Sequence, residues 1–106
     1  MSNATEQVQQ LINDNNVVIF SKSYCPYCRQ TKKILDDLNT VYGLLELDEV
    51  SEGSALQDAL EQMSGQRTVP NVYIKQRHIG GNSDVQSLMS AGKLANLIKE
   101  AGAVKA

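Results

Sequence analysis

The stretch Val17-Val18-Ile19-Phe20 does most to restrict what this chain can become. It is a continuous run of β-branched and aromatic residues with no polar alternation, and Asn13–Asn16 just before it breaks any helix. A strand of that kind is apolar on both faces and must be covered on both. Helical spacing flanks it. Val8, Leu11 and Ile12 form one face upstream, with Thr5 expected as N-cap, and Thr31, Ile34, Leu35 and Leu38 form another downstream. A second strand is expected over 44–48, "LLELD", so residues 17–48 read as β-α-β with parallel strands and a right-handed crossover.

The second half carries a different pattern. Leu56, Ala59, Leu60 and Met63 mark a helix that Gly65 ends, with Ser51, Gly53 or Ser54 as its cap. "NVYI" (71–74) and "RHIG" (77–80) read as a hairpin joined at Lys75-Gln76. Gly80-Gly81-Asn82 reads as a turn. Ser83 is then expected to cap a helix with Val85, Leu88 and Met89, and after Gly92 a last helix carries Leu94, Leu97 and Ile98. The order αβαβαββαα predicts a four-stranded mixed sheet flanked by helices, a three-layer α/β/α domain. A length of 106 residues suits one such domain, 1–106.

With 42% hydrophobic and 21% charged residues, the chain can pack a core without disulfide staples. A net charge of −2 argues against general nucleic-acid binding. No window approaches the ~20 apolar residues of a membrane span, and the polar N-terminus lacks the basic and apolar regions of a secretory signal. A reducing compartment, the cytosol, is therefore expected. An organellar form with a removed leader fits the same pattern. Basic residues concentrate at 22–33 and 64–78, while 46–61 holds six acids and no base. Either this is ordinary solvated surface, or the two basic stretches converge on an anion.

Both cysteines lie in "SYCPYC", at 25 and 28. A disulfide across so short a loop constrains little chain entropy and is a poor staple. A structural zinc needs four ligands, and His78 is the only histidine available to join the pair. Redox chemistry fits better. Cys25 falls where a strand ends and a helix begins, so unpaired N–H groups and the positive end of the dipole stabilise a thiolate, with Lys22, Arg29 and Lys32 adding positive charge. Pro26 suits the first helical turn. Cys28, one turn further in, is expected to be more buried. Cys25 is thus the nucleophile and Cys28 the resolving thiol.

Taken together, "CPYC" at 25–28, "TVPNVYI" at 68–74 and "GGNSD" at 80–84 resemble a dithiol glutaredoxin, over nearly the whole chain from about Val8 to Ile98. The absence of tryptophan separates it from thioredoxins, which usually carry one before the first cysteine. The resemblance implies a thioredoxin fold and a glutathione-disulfide oxidoreductase with glutathione as co-substrate. It would act on glutathionylated and disulfide-containing proteins, be recycled indirectly by glutathione reductase, and work as a monomer without membrane or nucleic-acid partners.

The same resemblance assigns residues. Pro70 would follow a cis peptide, with the Val69 backbone pairing with the cysteinyl part of glutathione and Thr68 beside it. Gly81, Ser83 and Asp84 would hold the γ-glutamyl end, Asp84 accepting from the ammonium group. Lys22, with Gln57 and Arg67, would meet the glycyl carboxylate, and Tyr27 would line the groove. Tyr24 is read as a packing residue and His78 as a strand residue. Pro26 and Cys28 argue against the iron–sulfur cluster that some relatives hold, so neither metal nor cluster is expected.

Overall fold

The computed structural model describes residues 3–106. Its elements follow the expected order: α1 (Ala4–Asp14), β1 (Val17–Ser21), α2 (Pro26–Asp37), β2 (Gly43–Glu46), a 3-10 turn (Leu47–Glu49), α3 (Gly53–Ser64), β3 (Asn71–Ile74), β4 (Arg77–Gly80), α4 (Asn82–Ser90) and α5 (Leu94–Glu100). The strands lie in the order β2-β1-β3-β4. β1 pairs parallel with β2, Val18 opposite Gly43, and antiparallel with β3, Val18 opposite Tyr73. β3 and β4 form the expected hairpin, whose tip residues Lys75 and Gln76 both take positive φ, 52° and 67°. Two such residues give the turn whose twist matches the flanking strands.

β1 explains the layering. All five of its residues are buried. Val17 and Ile19 point into one core with Leu35, Val85, Leu94 and Ile98, from α2, α4 and α5. Val18 and Phe20 point into a second core with Val8, Ile12, Leu56 and Leu60, from α1 and α3. Successive side chains of a strand face opposite ways, so a run apolar at every position needs this sandwich.

Helix starts depart from expectation in three places. α1 is capped by Asn3, whose side chain accepts from the Glu6 N–H at 2.9 Å, so Thr5 lies inside the helix. α3 begins after Glu52 with no side-chain cap. α4 begins after Gly81, two residues before Ser83, because Asn82 is drawn into the first turn by a buried hydrogen bond from Thr31 (2.8 Å). The strand expected over 44–48 spans 43–46 and turns at Leu47, which packs inward onto α1 and α3.

The start of α3 leaves no room for a side chain. An ideal Cβ on Gly53 would lie 1.8 Å from the Leu47 carbonyl oxygen, a backbone atom that cannot step aside. Gly53→Ala is expected to destabilise the protein by about 1–3 kcal/mol, the usual cost of overpacking. Urea denaturation checks this, and an unchanged midpoint would show that the α3 entry shifts freely.

Candidate active site

α2 starts just beyond the C-terminal end of β1, an interior strand of the sheet. Cys25 is the N-cap of α2 and Pro26 its first residue. The Cys25 sulfur accepts from the Cys28 N–H at 3.3 Å, and lies 3.9 Å from the Val69 carbonyl oxygen. A thiolate here faces helix-terminal N–H groups that have no intrahelical partner. Cys25 is partly exposed, Cys28 is wholly buried, and both thiols are free. Burial pushes the Cys28 thiol up in pKa, only partly opposed by the neighbouring Ser21 hydroxyl. The pair therefore has one accessible sulfur and one protected sulfur a helical turn behind it.

The loop entering Cys25 is tied down from the far side of the crossover. Asp48 accepts from the Ser23 N–H at 2.9 Å and from the Ser23 hydroxyl, and these bonds hold its carboxyl below the usual carboxylate range, with Lys22 nearby. Behind this, the two basic stretches do not converge as a block. Lys32 pairs with Glu46 at 2.6 Å, Lys33 with Asp37, and Arg67 with Asp58 (2.6 Å) and Glu61 (3.0 Å). Arg29 donates to the Tyr24 carbonyl. Lys75 and Arg77 sit at the hairpin tip, the end of β3 away from Pro70. Lys22 remains the lysine beside Cys25 with no ion pair among the described residues. Tyr24, expected to pack, is 64% exposed, and Tyr27 is 61% exposed.

Two grooves meet at this point. One, of about 520 Å³, is lined by Tyr27, Gln66, Thr68, Val69, Pro70, Gly81, Asn82, Ser83 and Asp84. The other, of about 500 Å³, is lined by Lys22, Tyr24, Cys25, Pro26, Gln57, Arg67, Thr68 and Val69. They share Thr68 and Val69. Eleven of the twelve residues singled out in the sequence thus fall on this one surface, and the twelfth, Cys28, is buried behind it. The Val69–Pro70 peptide is cis. Gln57 donates to the Arg67 carbonyl at 2.8 Å, which fixes the wall of the second groove. At the far end of the first, Asp84 accepts from the Gly81 N–H at 2.9 Å. Gly80 has φ 125°, and a Cβ there would lie 2.2 Å from the Asp84 carboxylate. A glycine is needed at that position on both counts.

Sequence reasoning missed Gln66, Asn82 and Asp48. Asn82 accepts from Thr31 and donates to Gln30 at 3.0 Å, so it joins α2, which carries the cysteines, to α4, which closes the groove. A polar residue beside a glycine pair gives no sign of a partner about 50 positions away. A larger cavity, about 640 Å³, lies elsewhere, between the hairpin and α4–α5, over Ile74, Ile79, Leu88 and Leu97. Neither cysteine lines it, so the thiol chemistry belongs to the smaller grooves at Cys25. Among the described residues no group of three or more His, Cys, Asp or Glu is placed to hold a metal ion.

The glutaredoxin family model matches residues 17–79, the span from β1 to β4. The chain belongs to the glutaredoxin family. It is 50% identical over 101 residues to a glutaredoxin of Ricinus communis, covering 95% of this chain and 99% of that one. It is 49% identical over 100 residues to a glutaredoxin of Vernicia fordii, covering 94% and 96%. Among solved structures it resembles the buckwheat glutaredoxin-glutathione complex with a TM-score of 0.94, at 48% identity and covering 96% and 93% of the two chains. The architecture described above is therefore the thioredoxin fold of glutaredoxins, and the cysteine pair at the start of α2 is that of a thiol-disulfide oxidoreductase.

Proposed function

We propose that this glutaredoxin reduces protein–glutathione mixed disulfides and protein disulfides, using glutathione as the reductant. One observation carries the reading. The partly exposed Cys25 sulfur stands where two grooves meet, one ending at Gly81–Asp84 on the N-terminus of α4 and the other bearing Lys22. Glutathione has this arrangement of needs: a central sulfur, a γ-glutamyl end with a carboxylate and an ammonium group, and a glycyl carboxylate at the other end. Ser83 and the N–H groups of α4 suit the first carboxylate, Asp84 the ammonium group, and Lys22 the second carboxylate. The Val69 peptide lies between them, able to pair with the cysteinyl unit as a strand would. The related buckwheat protein was crystallised with glutathione.

The Cys25 thiolate attacks the glutathione sulfur of the mixed disulfide. A Cys25–glutathione disulfide forms, and the protein sulfur leaves as a thiolate and takes up a proton. A second glutathione thiolate attacks the bound glutathione sulfur, which releases glutathione disulfide and restores Cys25 for the next cycle. Glutathione reductase would recycle that product. With a protein disulfide, Cys28 instead attacks the Cys25–protein disulfide, forming the Cys25–Cys28 bond and releasing the reduced protein. Two glutathione molecules then reopen it. Thiol exchange needs no separate base once the thiolate is present.

The test is a coupled assay with a small glutathione mixed disulfide. Turnover is expected to saturate with glutathione and to be absent when thioredoxin reductase and its reduced partner replace glutathione. The reverse pattern would overturn the proposal.

A further inference from the structure

We infer that Gln66 is a positioning residue for the proposed glutathione site, acting by strapping the backbone on either side of Val69. The inference rests on the glutathione reading above. Gln66 follows Gly65, which ends α3 with φ 76°. Its backbone N–H donates to the Ser64 hydroxyl at 3.1 Å, and Asn71 Nδ2 donates to the same hydroxyl at 3.3 Å, so both ends of the 66–71 loop meet on one oxygen. From that anchored position the Gln66 side-chain amide reaches inward. Its Nε2 donates to the Thr68 carbonyl at 3.0 Å and to the Pro70 carbonyl at 2.9 Å.

The two contacts determine the orientation of the amide. Carbonyl oxygens only accept, so the nitrogen must face them, and both of its hydrogens are then used. The amide oxygen is left toward His78 Nε2 at 3.2 Å. That nitrogen carries the hydrogen in this arrangement, so His78 steadies the strap from β4. One side chain thereby fixes residues 68 and 70. The residue between them, Val69, carries a carbonyl oxygen 3.9 Å from the Cys25 sulfur. Gln66 itself lines the groove that ends at Asp84. It touches neither cysteine, so its loss should loosen the docking of a ligand backbone at Val69 without altering the thiol.

The experiment compares Gln66→Leu, which keeps bulk but has no donor, Gln66→Glu, which puts an acceptor against two acceptors, and Gln66→Lys, which restores donors. Binding of S-methylglutathione, which cannot exchange disulfides, is read by NMR titration. KM, kcat and the iodoacetamide rate of Cys25 are measured alongside. Loss of a net hydrogen bond corresponds to about fivefold in affinity. Gln66→Leu and Gln66→Glu are expected to weaken S-methylglutathione binding and raise KM by about that factor, with kcat and the alkylation rate unchanged, and Gln66→Lys is expected to recover most of the loss. Unchanged affinity in the Leu and Glu variants would overturn the inference. So would a joint fall of kcat, alkylation rate and thermal midpoint, which would mark Gln66 as a fold residue. If the wild type itself fails to bind S-methylglutathione, the proposed function falls first, and that outcome is visible before any variant is made.

Discussion

Cys25→Ser should abolish glutathione-dependent reduction of a glutathionylated substrate, whereas Cys28→Ser should keep a substantial part of it. The reason is positional. Only Cys25 is open to solvent, and it stands at the helix N-terminus where the Cys28 N–H meets its sulfur at 3.3 Å. A serine hydroxyl there is a far weaker nucleophile at neutral pH, since it stays protonated. Cys28 is fully buried, and burial holds its thiol in the protonated form. The backbone N–H of residue 28, which is what Cys25 needs from it, survives substitution. Serine at 28 also has a ready partner in the Ser21 hydroxyl, so the fold should tolerate it. With a glutathionylated substrate, free glutathione resolves the intermediate and the second thiol is dispensable. With a protein disulfide as substrate the Cys28→Ser protein should instead stall as a mixed disulfide detectable by mass spectrometry. Equal loss in the two variants on a glutathionylated substrate would refute the one-thiol route.

What could be read from the sequence and what could not divide along physical lines. β1 and the hairpin were visible because a continuous apolar run and a pair of short runs around Lys75-Gln76 permit few alternatives. The cysteine pair was visible because its position at a strand-to-helix junction has chemical meaning in itself. The N-caps of α1, α3 and α4 were not, although Gly65 was rightly read as the end of α3. A cap is defined by backbone geometry, and serines and threonines near a boundary attract the assignment even where Asn3 or Gly81 holds the place. The charge pattern stayed open between two readings for a related reason. Lys32 and Arg67 sit in stretches free of acids, yet the fold brings Glu46 to one and Asp58 and Glu61 to the other. An ion pair is a property of spatial neighbours, and a run of like charge along the chain says nothing of them. Gln66 had no signal at all, because its role depends on two carbonyls that become its neighbours only when the loop closes.

Asp84 offers the sharpest test of recognition, because two roles fall on one carboxylate. One oxygen accepts from the Gly81 N–H at 2.9 Å and so caps α4, while the other has no partner among the described residues. The side chain lines the groove beside Ser83, at the end farthest from Lys22. Asp84→Asn keeps an acceptor for the Gly81 N–H but loses the negative charge that would hold an ammonium group. Asp84→Ala loses both. A hydrogen bond to a charged group is worth about 1.5–3 kcal/mol, so each variant should lose roughly tenfold to a hundredfold in apparent glutathione affinity. Their stabilities should differ. Asp84→Ala should unfold about 1 kcal/mol sooner for want of its cap, while Asp84→Asn should stay near the wild type. The rate of Cys25 alkylation should be unchanged in both, since Asp84 lies on α4 and the sulfur at the start of α2. Glutathione kinetics, alkylation and urea denaturation on the three proteins separate these effects. Normal glutathione kinetics in Asp84→Asn would reduce Asp84 to a capping residue. The ammonium contact would then be gone from the proposal, and with it the main structural ground for preferring glutathione to a thioredoxin-type reductant.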